Sequence, residues 1–194
     1  MATRTIIIAS IFLLIAITSV KAATDIFLEM DYRTLQGIVS RGIGNNNPFN
    51  IKVSGREYAG KVPRDENTDI VHEQFVSFPY GIAAGIDHLR KRYILGQNSW
   101  GVGKLDTIRK IIEVYAPSDS GEGNEPNVYA AYLERKTGIS QNAKLDANDK
   151  ETLFDLTRAM LIFENGAKYE SSYFSVKEYT NTFELAWVNI LNLP

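Results

Sequence analysis

The chain has 194 residues, no cysteine, and a formal net charge of −2 from 21 basic and 23 acidic residues. Hydrophobic residues make up 44% and charged residues 23%, the balance of an ordinary globular chain rather than a disordered one. Without cysteine, a disulfide framework, a zinc ribbon and a thiol nucleophile are excluded, and the balanced charge argues against nucleic acid as a partner.

The N-terminus reads as a targeting segment. Arg4 precedes the uncharged, mostly apolar run Ile6–Val20, and Val20 and Ala22 stand at the −3 and −1 positions of a small-residue cleavage site. Residues 1–22 are therefore either a secretory signal peptide or a retained membrane anchor, the run being short of the roughly 20 apolar residues of a spanning helix. Either reading places the rest of the chain in the periplasm or against a membrane. Residues 23–40 form a linker or short helix. Residues 41–79 are rich in Gly, Asn, Pro and charge, with β-prone pieces at Asn50–Val53 and Phe75–Phe78, which predicts loops and a small β-hairpin.

From residue 80 the period becomes helical. Ile82, Ile86, Leu89 and Tyr93 line one face. Asp106 is placed to cap a helix carrying Ile108, Ile111, Ile112 and Tyr115, which Pro117 stops. Pro126 suits a first helical turn and Gly138 a helix end. Asn148 with Glu151 has capping-box spacing, and Leu153, Leu156, Met160 and Phe163 then make a buried face that ends at Glu164-Asn165-Gly166. Residues 170–194 are aromatic-rich, with a final helix through Phe183, Leu185, Ala186 and Trp187. The fold class is mainly α (α+β).

Glu164 is the residue placed for chemistry. At the C-terminal end of a helix it meets the negative end of the helix dipole, and burial beside Phe163 adds desolvation. Both effects favour the neutral acid, the form a general acid needs. A solvated glutamate ahead of a glycine cap is the alternative. The run Asn45-Asn46-Asn47-Pro48 makes a tight loop whose amides suit sugar hydroxyls and N-acetyl groups, or else serve the turn itself. His72 and His88, the two histidines, are too few and too scattered for a metal site, and no metal or other cofactor is expected.

The stretch 41–169 resembles a family of phage and prophage proteins that open with R-G-(I/L)-R-N-N-N-P-G-N-I. Those continue through W-x-G, a phenylalanine-rich strand, Y-G-x-R-A and Y-A-P, and close on E-N-G. This chain supplies Asn45–Ile51, Tyr58-Ala59-Gly60, Phe75–Phe78, Tyr80–Ala84, Tyr115-Ala116-Pro117, Asn124 with Tyr129, and Glu164-Asn165-Gly166. It departs from the pattern at Gly44 (for Arg), Phe49 (for Gly) and Tyr58 (for Trp). Asn46–Lys52 with Tyr58-Ala59-Gly60 is also similar to the N-N-L-F-G-I-K…W-x-G stretch of peptidoglycan glucosaminidases. Those belong to the lysozyme-like superfamily, where a helix ending in L-E-S-G delivers the catalytic glutamate before that stretch. Here the matching helix end, Leu161–Gly166, follows it, and a circular permutation reconciles the two.

The resemblance implies a lysozyme-like domain over 41–169 that cleaves peptidoglycan glycan strands, as a lytic transglycosylase or a muramidase or glucosaminidase. Glu164 is then the general acid. Asn45, Asn46, Asn47, Asn50, Tyr58, Tyr115, Asn124, Tyr129 and Asn165 bind substrate. A hydrolase needs a second carboxylate, for which Glu57 and Glu73 stand among the acids of residues 57–73; a lytic transglycosylase does not. The partners implied are the glycan strand, a membrane through the N-terminal segment, and other virion proteins. A non-enzymatic virion or envelope protein that keeps the fold and binds glycan or partner proteins, with the aromatic tail 169–190 as a docking surface, is the alternative.

Overall fold

A computed structural model describes residues 39–99, 101–121 and 123–194. The targeting segment and nearly all of the 23–40 linker lie outside the described residues. Among the described residues, no helix is long and apolar enough to cross a membrane.

The architecture is mainly helical, in the order α1 (Arg41–Gly44), α2 (Phe78–Asp87), α3 (Ile108–Tyr115), α4 (Pro126–Thr137), α5 (Lys150–Asn165) and α6 (Val176–Glu184). Helix α2 runs on into a π-helical segment, His88–Ile94, and α6 into another, Leu185–Ile190. Helix α2 is the centre: Phe78, Pro79 and the whole of Gly81–Asp87 are buried. Its glycines are needed for close approach. A Cβ on Gly81 would stand 1.7 Å from the Asn46 carbonyl oxygen, and one on Gly85 1.9 Å from the Phe49 ring. Four residues apart, the two glycines cut a groove into α2 in which the 45–50 loop lies.

The expected β-hairpin does not form. Residues 50–76 make only the isolated antiparallel bridges Lys52–His72 and Lys61–Phe75. The two segments meet through separate backbone bonds, the Glu73 N–H to the Ile51 carbonyl and the Val53 N–H to the Val71 carbonyl, and the Asn47 amide adds a clamp by donating to the carbonyls of both Ile51 and Glu73 (2.9 and 2.8 Å). Phe78 is not strand either; it opens α2, with Pro79 in the first turn.

The helix caps follow the sequence with two shifts of one residue. Thr107, not Asp106, caps α3 by accepting from the Lys110 N–H, while Asp106 pairs with the Lys110 ammonium at 2.8 Å. Asp149, not Asn148, caps α5 by accepting from the Thr152 N–H, because Arg90 takes the Asn148 carbonyl at 2.8 Å. Pro126 opens α4, and Gly138 closes it with φ +74°, a conformation that glycine adopts without steric cost.

Leu153, Leu156 and Met160 are buried as their spacing predicts, but Phe163 is 40% exposed. The aromatic side chains of the tail are interior, while Val176, Leu185 and Val188 on it are exposed. Phe174, Tyr179, Phe183 and Trp187 belong to the same core as α2 and α5, with Phe174 against Phe78 at 6.2 Å between ring centroids. The chain past 169 completes the core that the preceding helices leave open.

Candidate functional site

The last turn of α5 meets the start of the described chain. Ser40 Oγ donates to Asn165 Oδ1 at 2.9 Å, and the Ser40 N–H donates to the Tyr169 hydroxyl at the same distance. Asn165 Nδ2 donates to the Pro48 carbonyl at 2.8 Å and the Leu161 carbonyl at 2.9 Å. Gly42 is required here, since a Cβ on it would lie 2.5 Å from Asn165 Oδ1. Two segments more than a hundred residues apart are thereby locked together, with Glu164 at the seam.

Glu164 is half-buried, and its Oε2 accepts from Asn50 Nδ2 at 3.0 Å. Asn50 holds φ +50°, a left-handed conformation that asparagine tolerates better than most residues. Tyr115 donates its hydroxyl to the Phe49 carbonyl, which fixes the backbone beside Asn50. Burial pushes the phenols of Tyr115 and Tyr129 well up, and the negative charge of Glu164 beside both pushes them further. Both stay protonated donors at any physiological pH. A ladder of rings leads outward from the core: Tyr93 on Tyr115 (6.4 Å), Tyr115 on Tyr129 (6.3 Å), Tyr129 on Phe163 (3.8 Å).

Glu164, Asn50, Tyr115 and Tyr129 are thus brought together. The remaining sequence-predicted residues stand elsewhere or serve the fold. Asn46 and Asn47 are fully buried, and Asn45 is 4% exposed. Asn45 links Asp69 (2.7 Å) to Gln74 (2.9 Å), Asn46 donates to the Phe75 carbonyl, and Asn47 bonds Ile51 and Glu73. In place of the expected sugar contacts, these amides tie the loop to its neighbours. Asn165 is likewise spent on the seam. Tyr58 is buried against Phe75, with its hydroxyl 2.7 Å from His88 Nδ1. Asn124 donates to Ser120 within its own loop. Glu57 is solvent-exposed and pairs with Lys61 at 3.4 Å, while Glu73 is buried and accepts from the Ser54 N–H at 3.0 Å.

A pocket of about 450 Å³ is lined by Ser40, Arg41, Asn45, Thr68, Asp69 and Ile70 among others, and Glu164 is not in its wall. Burial opposes ionisation of Asp69, but the backbone N–H groups of Val71 and His72 and the Asn45 amide outweigh it and hold the carboxyl below its usual range. Sequence reasoning singled out Asn45 but set none of the acids of residues 57–73, Asp69 included, on this pocket, and it missed Arg41 and Thr68, whose proximity depends on the fold. It also missed the exposure of Phe163, which its helical spacing placed inside. Among the described residues, no three His, Asp or Glu side chains gather to hold a metal.

No protein-family model matches the chain. Protein P5 of Pseudoalteromonas phage PM2 is 36% identical to it over 131 residues, spanning 66% of this chain and 72% of that protein. This chain belongs to the family of phage PM2 Protein P5. In this P5-family chain the fold seats the partly exposed carboxylate of Glu164 among protonated phenols and an amide. Its Oε2 accepts from Asn50 and its charge acts on the Tyr129 hydroxyl, so the carboxyl is oriented by the protein. Such a group can hold, give and retake a proton.

Proposed function

We propose that this P5-family chain cleaves the glycan strands of bacterial peptidoglycan, with Glu164 as general acid on a lysozyme-like, circularly permuted scaffold. The observation that carries this reading is the Asn50–Glu164 contact. It joins the asparagine loop to the end of α5 across 114 positions of sequence, at the place where the two resemblances put substrate and acid. The relative's phage origin supports a role in crossing or lysing the cell envelope, and residues 1–22 supply export or membrane attachment.

Chemically, the Glu164 carboxyl protonates the glycosidic oxygen as an oxocarbenium-like sugar develops. The carboxylate left behind then accepts the proton of the muramic acid 6-hydroxyl as that oxygen attacks C1, which closes an anhydro sugar and returns the acid. This one-carboxylate route is favoured over hydrolysis by the engagement of Glu57 with Lys61 and of Glu73 with Ser54. A general acid of this kind contributes about 10²–10⁴-fold in rate.

A zymogram on purified peptidoglycan tests the reading, with mass spectrometry to separate anhydro-muropeptides from reducing ends. Glu164→Gln keeps an oxygen for Asn50 and removes the acid. It should lose at least about 100-fold in clearing, with little change in melting temperature. Full activity in E164Q overturns the assignment. A second reading, a non-enzymatic phage protein that binds glycan or partner proteins, is favoured by the burial of Asn46, Asn47 and Asn165. Retained glycan binding with no clearing by the unaltered protein would decide for it.

A further inference from the structure

We propose that Phe163 is a substrate-binding platform, on which the saccharide next to the cleaved bond stacks; this rests on the reading of Glu164 as the acid. Successive residues of an α-helix diverge by about 100°, so Phe163 and Glu164 do not point the same way. Tyr129 rejoins them. Its ring lies under Phe163 at 3.8 Å between centroids and 14° between planes, and the Glu164 charge acts on its hydroxyl.

The Phe163 ring is 40% exposed, while Tyr129 beneath it is 2% exposed. One face of the ring is therefore covered and immobilised. Tyr132 braces it from the side at 5.1 Å and 53°, and the Arg135 guanidinium sits 5.6 Å from the Tyr132 ring. A flat apolar face, fixed by two tyrosines, matches the C–H face of a pyranose. Tyr129 ties the platform to the Glu164 side chain, so that both belong to the same end of α5. The platform would thus hold the chain in register for proton transfer.

The test uses the full chain and N-acetylglucosamine oligomers of four to six units, with affinity read by calorimetry and turnover read on soluble peptidoglycan fragments. Three variants are compared. F163A removes the ring, F163L keeps the apolar contact with Tyr129 but loses the flat face, and F163W keeps the face. F163A and F163L should weaken oligomer binding and raise KM at least about tenfold, with kcat within threefold, while F163W stays near the starting protein. F163L guards against loss of folding, since a merely structural role would tolerate it. Unchanged affinity in F163L, or no binding of the oligomers by the unaltered protein, overturns the platform. Should E164Q remain active while F163L loses affinity, the acid assignment falls and the platform stands. The converse pair of results removes the platform alone.

Discussion

His88 supplies the sharpest physical prediction. It lies at the start of the π-helical segment after α2, with Nδ1 2.7 Å from the Tyr58 hydroxyl and its ring against Tyr93. Burial, then the charges of Arg92 and Arg56, press its pKa from 6.5 down to about 3. The imidazole is therefore neutral in the fold and hydrogen-bonded to the Tyr58 hydroxyl, whereas in the unfolded chain it protonates near pH 6.5. Between pH 6.5 and 3 the unfolded state binds the extra proton, so stability falls as pH falls through that window. With these two values the loss between pH 7 and 5 is about 2 kcal/mol. For a chain of this size that is a fall in Tm of roughly 4–8 °C. His88→Gln offers a carbonyl to Tyr58 and cannot titrate. Urea denaturation of both proteins at pH 7 and pH 5 should show the drop shrinking by about 2 kcal/mol in H88Q. His72, whose pKa is also lowered by burial and by Arg41, leaves a residual slope in both. The lowered carboxyls of Asp69, Asp106 and Asp149 give up their contribution only as pH falls below about 4, beneath the pH 7 to 5 interval compared. Equal pH dependence in the two proteins would refute the reasoning.

Two further substitutions probe the frame of the site. Asn47→Leu strands the Ile51 N–H and the Glu73 carbonyl, while the Ile51 carbonyl keeps the Glu73 N–H; at about 1–3 kcal/mol for each unsatisfied group, it should cost at least roughly 2 kcal/mol. A denaturation midpoint near that of the unaltered protein would show that water takes over those bonds. Trp187→Ala removes a side chain that is 2% exposed, stacked on Phe183 at 5.5 Å, with its indole N–H donating to the Pro194 carbonyl at 2.6 Å. It should cost about 3–5 kcal/mol; a loss under about 1 kcal/mol would mean that the tail adds little to the core.

Much of the local structure was legible. Pro126, Gly138, Pro117 and the Leu153–Met160 stripe act within a few residues of themselves, and the helices they mark stand where their spacing placed them. Asn148 and Asp149 show the limit. Both are good caps, and the choice between them was made by Arg90, on another helix segment. Phe163 has the spacing of a core residue, but Tyr129 and Tyr132 of α4 cover only part of its ring, so it stays 40% exposed.

Read by itself, the sequence established a mainly helical chain, the ends of its central helices, and a glutamate in the last turn of the longest described one. Those features depend on backbone propensity and on side chains within one or two helical turns. Only the tertiary structure decided what the asparagines do, that residues 170–194 close the core, and that Asn50 reaches Glu164. An amide bonds equally well to a sugar or to a backbone carbonyl, and which of these lies within 3 Å is set by residues far away in the chain.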